Sequence, residues 1–211
     1  MQSKTESELV EPQSDIAWIK ANVNTIHDIG SFKQSKEENC DHYGRFAEQY
    51  DTITSKIGMN DQYHLASFLK SKFPDLPKNS KIIDFGCGTG LAGDALALLD
   101  FTVIDGNDGS QQMLEMAKQK SSYRKLFPLM VGTDPIPSDI DRDYDLVVST
   151  GCMVRGHFPN TCFEAFLEVL KPGGLIAITS REVYLHNETD NGTDYIGAIR
   201  KLSDRGIMED N

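Results

Sequence analysis

Three glycines at alternate positions, Gly86, Gly88 and Gly90, lie in the stretch "KIIDFGCGTGLAGDALALL", residues 81–99, between a short apolar run and a run with helical spacing. Glycine suits a turn that approaches a ligand, because it adopts dihedral angles closed to other residues and has no Cβ to keep the ligand from the backbone. The stretch predicts a ligand-binding turn at the start of a helix. The alternative is a turn that only packs the helix on its strand.

Two carboxylates accompany this turn. Asp84 comes two residues before Gly86, where its charge would repel a pyrophosphate and attract a cationic group such as an ammonium. Asp108 ends the next predicted strand, 18 residues after Gly90, at the position where a carboxylate accepts both hydroxyls of a ribose. The alternative for Asp108 is an acid at a helix N-terminus. Asp105 has the opposite parity on the same strand and is expected to face water.

A dinucleotide site is a competing interpretation. The segment "GTGLAG", residues 88–93, matches the pattern G-x-G-x-x-G, so an NAD-dependent oxidoreductase has to be considered. That chemistry requires a catalytic Tyr/Lys or His/acid set after the cofactor-binding half, and nothing beyond residue 160 supplies one. The ribose expected at Asp108 fits both interpretations, whereas Asp84 favours a ligand with an ammonium.

The elements that must position these residues alternate along the chain. Strands are predicted at "KIIDF", "FTVIDGN", "LFPLMVG", "DLVVST" and "GLIAITS", and helices at residues 36–56, "QYHLASFLKSKF", "LAGDALALL", "SQQMLEMAKQK", "TCFEAFLEVL" and "YIGAIRKLSDRG". This alternation is typical of a doubly wound α/β fold with a mostly parallel sheet covered on both faces. Ligands of such folds bind beyond the carboxyl ends of the strands, where the glycine turn falls.

Composition limits the classes of partner. Asp and Glu number 32 against 21 Lys and Arg, giving a net charge of -11, and no basic cluster is present, so the sequence argues against nucleic acid. No run resembles a signal peptide or a membrane span, which predicts a cytoplasmic protein, with the nucleus as the alternative. The 4 cysteines have no metal-ligand spacing, so no metal is expected.

Residues 1–35 are predicted to be a mobile leader, with a short helix candidate around Trp18, and residues 36–211 to form one domain.

The ordered motifs resemble a known enzyme class. "DFGCGTG", "DGSQQMLEMA", "YDLVVSTG" and "EVLKPGGLIAITSR" are similar to the motif set of class I S-adenosylmethionine-dependent methyltransferases. Together with "HYGRFAEQYD", "GCGTGLAG" and "GHFP", they resemble more closely the methyltransferase-like protein 27 family, also named for the Williams-Beuren syndrome region. The likeness covers roughly residues 35–211. It implies S-adenosylmethionine as cofactor and a small molecule or a protein side chain as methyl acceptor.

The resemblance also implies where the cofactor would lie. The glycines would line its methionine part with Asp84 near the amino group, Asp108 would take the ribose hydroxyls, and the "GTD" turn would flank the adenine. The full set of cofactor-binding residues so implied is Tyr50, Asp84, Phe85, Gly86, Cys87, Gly88, Gly90, Asp108, Gly109, Ser110, Met113, Thr133, Asp134 and Thr150. Met113 could equally be a core residue, and Tyr43 and Tyr50 could serve only to pack their helix, which covers the site in related enzymes. Arg45 or Tyr50 could bind the methionine carboxylate.

His157, in "RGHFP" after the fourth predicted strand, is the candidate catalytic base. Methyl transfer depends on holding the acceptor in line with the reactive methyl, and a base is needed only if the acceptor must lose a proton. The alternative for His157 is to order its loop. Cys152 lies next to the expected site but has no base partner in the sequence, which argues against a thiol nucleophile. A relative that binds the cofactor without catalysis is a further alternative.

The resemblance implies seven strands, of which the last two form a hairpin beside the fifth. No strand is predicted after "GLIAITS". We therefore expect the C-terminal hairpin to be missing and the fifth strand to be an edge strand.

Overall fold

The apolar runs of the sequence form one sheet in the computed structural model, which describes residues 15–25, 35–154, 156–185 and 193–209. The strands are β1 (Lys81–Phe85), β2 (Val103–Asp108), β3 (Lys125–Pro128), β4 (Tyr144–Thr150) and β5 (Leu170–Thr179). Their order across the sheet is β3-β2-β1-β4-β5, and all neighbours pair in parallel. The predicted doubly wound α/β fold is confirmed.

Helices connect and precede the strands. In the described ranges they are α1 (Ile16–Ala21), α2 (Lys36–Lys56), α3 (Asp61–Lys72), α4 (Leu91–Leu98), α5 (Gln111–Gln119), α6 (Cys162–Val169), α7 (Glu182–Leu185) and α8 (Tyr195–Asp204). None of them is long and apolar enough to cross a membrane. Most of the predicted leader, residues 1–14 and 26–34, lies outside the described residues, so its mobility stays a prediction.

Helix α2 has the bounds that the sequence predicts, 36–56, because its first turn is capped. The Ser35 hydroxyl accepts a hydrogen bond from the Glu38 amide, and the Glu38 carboxylate accepts one from the Ser35 amide. Helix α1 is attached to the far end of α2 by a salt bridge of 2.9 Å between Asp15 and Lys56. Side-chain contacts therefore stabilise both ends of α2.

The end of the sheet also follows the prediction. Residues 180–185 and 193–209 contribute helices α7 and α8 and no strand, and β5 pairs only with β4 in the described part of the chain. Strand β5 begins at Leu170, earlier than predicted, because Leu170 pairs with Tyr144 before the register shifts.

Both faces of the sheet are buried, which divides the core into two layers. On one face, Ile83 and Phe85 of β1 pack with Phe163 and Phe166 of α6. On the other face, alternate strand residues pack with the helices that precede and follow β1; among them are Ile82, Ile104, Leu146 and Val148 with Leu65, Leu69, Ala95 and Leu96. The carboxyl ends of the central strands are thereby fixed side by side.

Asp105 shows why strand parity alone misleads here. Its side chain was expected to face water, but it is fully buried. The carboxylate accepts hydrogen bonds from Arg124 Nε at 3.0 Å and from the Tyr144 hydroxyl at 2.7 Å. The expectation was wrong because helices or loops cover both faces of this parallel sheet, so opposite parity selects the other buried face rather than solvent.

Replacing Tyr144 by Phe tests this buried contact. The change removes the hydroxyl that donates to the Asp105 carboxylate, and leaving a buried charged acceptor short of a donor costs about 1 to 3 kcal/mol. We expect urea denaturation to show a lower free energy of unfolding by that amount. The matched control is Tyr63→Phe, since the Tyr63 hydroxyl makes no hydrogen bond within the described part of the chain. Equal losses in the two variants would contradict the contact.

Candidate functional site

The glycine turn after β1 is strained in a way that only glycine tolerates easily. Gly86, Gly88 and Gly90 have φ values of +74°, +54° and +93°. A Cβ on Gly86 would collide with Cys152 and come within 3.0 Å of Phe158, whereas a Cβ on Gly88 would meet nothing within 4 Å. The turn therefore packs on the end of β4 through its first glycine and faces open space through its second.

Asp108 joins this turn to the end of β2. One carboxylate oxygen accepts a hydrogen bond from the Gly88 amide at 2.9 Å, and the other accepts from the Ser110 amide at 2.8 Å. Burial raises the pKa of Asp108, and these two amides act against that rise. Each carboxylate oxygen can accept more than one hydrogen bond, so a half-buried Asp108 retains acceptor capacity toward a ligand.

Asp84 lies behind the turn, on the sheet face of α3 and α4. Its side chain is fully buried, and one oxygen accepts a hydrogen bond of 2.7 Å from the Tyr123 hydroxyl. That hydroxyl in turn accepts from the Gly93 amide at 3.0 Å. The other oxygen is buried without a hydrogen-bond partner among the described residues. Burial raises the pKa of Asp84 to about 7, the bond from Tyr123 opposes the rise and the charge of Asp108 adds to it.

Helix α2 crosses the carboxyl ends of the strands and holds the loops around the turn. Asp51 accepts a hydrogen bond from Thr89 within the turn and forms a salt bridge of 2.6 Å with Lys120 after α5. Asn39 donates to the Gly156 carbonyl at 2.6 Å, in the loop after β4, and Lys36 donates to Thr133 after β3. Sequence reasoning missed Asp51, because nothing in the local pattern around residue 51 indicates partners at residues 89 and 120.

Three rings line the space between α2 and the loop after β4. The ring centroid of Tyr43 lies 6.1 Å from that of Tyr50 and 5.3 Å from that of His157, and both pairs meet edge to face. The Tyr43 hydroxyl and His157 Nε2 are 3.2 Å apart, within hydrogen-bond distance. We call Tyr43, Tyr50 and His157 the aromatic wall. Burial raises the pKa of both tyrosines, so their hydroxyls stay protonated at neutral pH.

The remaining predicted residues divide into those at the carboxyl edge of the sheet and those in the core. Thr150 ends β4, and Ser110 and Gly109 begin the loop into α5, all at the carboxyl edge of the sheet. The Phe85 side chain stacks on Phe166 with centroids 5.1 Å apart, so only its backbone can line the turn. Cys87 and Met113 are buried.

The turn after β3 carries two further predicted residues. Thr133 and Asp134 are both exposed there. The Asp134 carboxylate accepts a hydrogen bond of 2.9 Å from the Met130 amide and so closes its own turn. Arg45, the alternative ligand for a carboxylate, is exposed on α2 and contacts His42 at 3.1 Å.

The cysteines near the turn have the character of unreactive thiols. The Cys152 sulfur lies 3.5 Å from the Gly86 carbonyl oxygen, and burial raises the pKa of Cys152. Burial likewise raises the pKa of Cys40 to about 11, and nearby carboxylates add to the rise. Thiols with raised pKa are poor nucleophiles. Among the described residues, no group of three or more His, Cys, Asp or Glu side chains is placed to hold a metal ion.

The chain is similar to known methyltransferases in its sequence. A methyltransferase domain model matches residues 82–174, which contain the glycine turn, Asp108 and β4. Human methyltransferase-like protein 27 is 31% identical over 171 residues, covering 81% of this chain and 67% of the human protein.

Two solved structures show which fold these residues adopt. A TehB-like S-adenosylmethionine-dependent methyltransferase from Corynebacterium glutamicum has a TM-score of 0.55 at 21% identity, with 77% of this chain and 83% of that chain covered. The [4+2]-cyclase SpnF has a TM-score of 0.62 at 16% identity, with 82% and 74% covered. The fold thus serves more than one reaction, and the sequence relationship decides the family: the chain belongs to the methyltransferase-like protein 27 family and has the fold of S-adenosylmethionine-dependent methyltransferases.

Proposed function

We propose that this protein transfers the methyl group of S-adenosylmethionine to a small molecule or a protein side chain, at the carboxyl ends of β1, β2 and β4. The observation that carries the proposal is the pairing of Asp108 with the Gly88 amide beside open space at Gly88. A ribose that donates its hydroxyls to Asp108 would place the rest of the cofactor along the glycine turn. The proposed location is the cytoplasm, with the nucleus as the alternative.

The charges around the turn suit this cofactor better than NAD. S-adenosylmethionine brings a sulfonium and an ammonium, both cationic, whereas NAD brings two phosphates. Asp84 lies directly behind the turn, with one buried oxygen that has no hydrogen-bond partner among the described residues, and a cation in front of the turn would stabilise its ionised form. A pyrophosphate in the same place would meet repulsion from ionised Asp84, whereas Asp108 fits the ribose of either cofactor.

The other cofactor contacts are proposals from the same arrangement. The adenine would lie between the start of α5 and the turn after β3; the residues concerned are Gly109, Ser110, Met113, Thr133 and Asp134. Phe85, Gly86, Cys87 and Gly90 would contribute backbone along the methionine part. Tyr50 and Thr150 would face it from α2 and β4.

Transfer requires little chemistry from the chain beyond orientation. When bound, the cofactor supplies an electrophilic methyl group, and the acceptor must be held in line behind it. Helix α2 would exclude water from the site, since it is joined to the loops after β1, β3 and β4 by side-chain hydrogen bonds. His157 would accept a proton from the acceptor, and its contact with Tyr43 would fix the orientation of the imidazole.

Cofactor choice is tested by calorimetry with S-adenosylhomocysteine and NAD. We expect S-adenosylhomocysteine to bind and NAD not to bind. Asp108→Asn should weaken S-adenosylhomocysteine about tenfold or more, because a hydrogen bond to a charged group contributes roughly 1.5 to 3 kcal/mol. Asp139→Asn, an exposed acid in the loop after β3, is the control that should bind normally. Binding of NAD alone would reject the proposal, and unchanged affinity in Asp108→Asn would reject the role of Asp108.

The buried Asp84 should make stability depend on pH. Burial raises the pKa of Asp84 from its ordinary value of 3.8 to about 7 in the folded chain, so the folded state keeps a proton that the unfolded state releases. Raising the pH from about 4 to 7 should therefore lower the free energy of unfolding, by up to about 1.4 kcal/mol per pH unit, with no further loss above that range. The control is Asp84→Asn, which cannot titrate. Parallel stability curves for the two proteins across this range would contradict the burial of an ionisable Asp84.

His157→Gln separates the two roles of His157. If the imidazole accepts a proton, turnover should fall on the order of a hundredfold, whereas S-adenosylhomocysteine affinity and melting temperature should stay nearly unchanged. Tyr43→Phe is the matched variant, because it removes the contact with His157 Nε2 and keeps the ring. Loss of cofactor affinity together with melting temperature in His157→Gln would instead assign His157 to ordering its loop.

A further inference from the structure

The aromatic wall stands close to the residues proposed to hold the cofactor. Gly44, the neighbour of Tyr43 on α2, would place a Cβ 3.2 Å from the Ser110 hydroxyl after β2. Asp51, the neighbour of Tyr50, accepts a hydrogen bond from Thr89 in the glycine turn. The third ring, His157, follows β4 in the chain and faces Tyr43. The wall is therefore next to the ends of β2 and β4, where the acceptor must meet the methyl group.

Asp61 adds a carboxylate near the same space. It lies in the first turn of α3, and one of its oxygens is 3.9 Å from the position that a Cβ would have on Gly151, directly after β4. Gly151 begins the loop after β4 that carries His157, and the Phe158 amide folds this loop back by donating a hydrogen bond of 3.3 Å to the Cys152 carbonyl. Asp61 therefore lies beside the loop that contributes the third ring of the aromatic wall. Within the described residues, the Asp61 carboxylate has neither a hydrogen bond nor a salt bridge.

We propose that the methyl acceptor is an amine, which binds as its ammonium ion between the aromatic wall and the Asp61 carboxylate. This inference rests on the methyl transfer proposed above. Aromatic faces attract a cation within about 6 Å of the ring centroid, and a carboxylate adds a charge-assisted hydrogen bond. Neither feature is needed for a neutral alcohol.

The acidic surroundings also argue against acceptors that react as anions. A phenol, thiol or carboxylic acid reacts after losing its proton, and the resulting anion would lie near Asp61 and Asp108 without a lysine or arginine shown among their contacts. An amine reacts in its neutral form, so the same carboxylates do not repel the reacting species. The local charge thus favours nitrogen as the methylated atom.

The step balances with S-adenosylmethionine as the methyl donor. The bound ammonium first gives one proton to the His157 imidazole of the aromatic wall, which passes it to water, while the Asp61 carboxylate holds the cation in place. The nitrogen lone pair then forms a bond to the methyl carbon, while the bond from that carbon to sulfur breaks and leaves its electron pair on sulfur. The products are the methylated ammonium, S-adenosylhomocysteine and the released proton.

Calorimetry on the full chain saturated with S-adenosylhomocysteine tests the proposal. The probes are benzylamine, benzyl alcohol and benzoate, together with hexylamine and hexanol as a matched aliphatic pair. We expect the two amines to bind and the alcohols and benzoate not to bind. Asp61→Asn should weaken the amines about tenfold and leave S-adenosylhomocysteine unchanged, and the exposed Asp75→Asn should change neither.

The ring itself is tested at Tyr50. Tyr50→Phe keeps an aromatic face and should retain amine binding, whereas Tyr50→Leu should weaken it about fivefold. Mass spectrometry with S-adenosylmethionine should then detect N-methylbenzylamine and no benzyl methyl ether.

The outcomes separate this inference from the proposed function. If S-adenosylhomocysteine does not bind, the proposed function fails. If it binds but the amines do not, or the alcohols bind equally well, the amine proposal is wrong and the proposed function stands. Weaker S-adenosylhomocysteine binding in Asp61→Asn would also overturn the proposal, because it would assign Asp61 to the methionine ammonium.

Discussion

The carboxylate of Asp108 holds together the parts on which the site depends. It accepts one amide hydrogen bond from the glycine turn after β1 and one from the first residues leading into α5. The parallel register brings β1 and β2 side by side, with Phe85 opposite Asn107, so that the turn and Asp108 leave the sheet at the same edge. Burial alone would disfavour the ionised form of Asp108, and the two backbone amides favour it. Without this carboxylate, the glycine turn would keep its hydrogen bonds from Gly86 and Cys87 to Asn107 of β2 but would lose the bond from the Gly88 amide.

Helix α2 completes the site from above the sheet. Its contacts reach the loops after β1, β3 and β4 through Thr89, Thr133 and Gly156. The same helix carries two of the three rings of the aromatic wall, so by our proposals enclosure of the cofactor and recognition of the acceptor depend on one element. Three carboxylates lie near the site: Asp108 against the glycine turn, Asp84 behind it and Asp61 at the start of α3. Their common sign is consistent with a cationic cofactor and, by our proposal, a cationic acceptor.

Sequence reasoning predicted the features that depend on local pattern. The glycine turn, the strand that precedes it and the bounds of α2 follow from glycine spacing, an apolar run and helical spacing of apolar and aromatic residues. Asp108 was singled out because its distance along the chain from the turn is typical of a ribose-binding carboxylate. The structure places it against the Gly88 amide, and its role toward a ligand stays a prediction. The sequence could not indicate Tyr123 as the partner of Asp84, since a contact between residues 39 positions apart has no local signal. For the same reason the sequence did not indicate Asp61 or Asp51. Asp105 was assigned to solvent because the alternation of side chains along a strand does not distinguish a face that contacts water from a face that helices or loops cover.

Native mass spectrometry of the full chain with equimolar S-adenosylhomocysteine and NAD compares the two cofactors in one experiment. We expect a one-to-one complex with S-adenosylhomocysteine, no complex with NAD, and a much weaker signal for the complex in Asp108→Asn. A complex with NAD, or a complex with S-adenosylhomocysteine that Asp108→Asn leaves at full intensity, would contradict it.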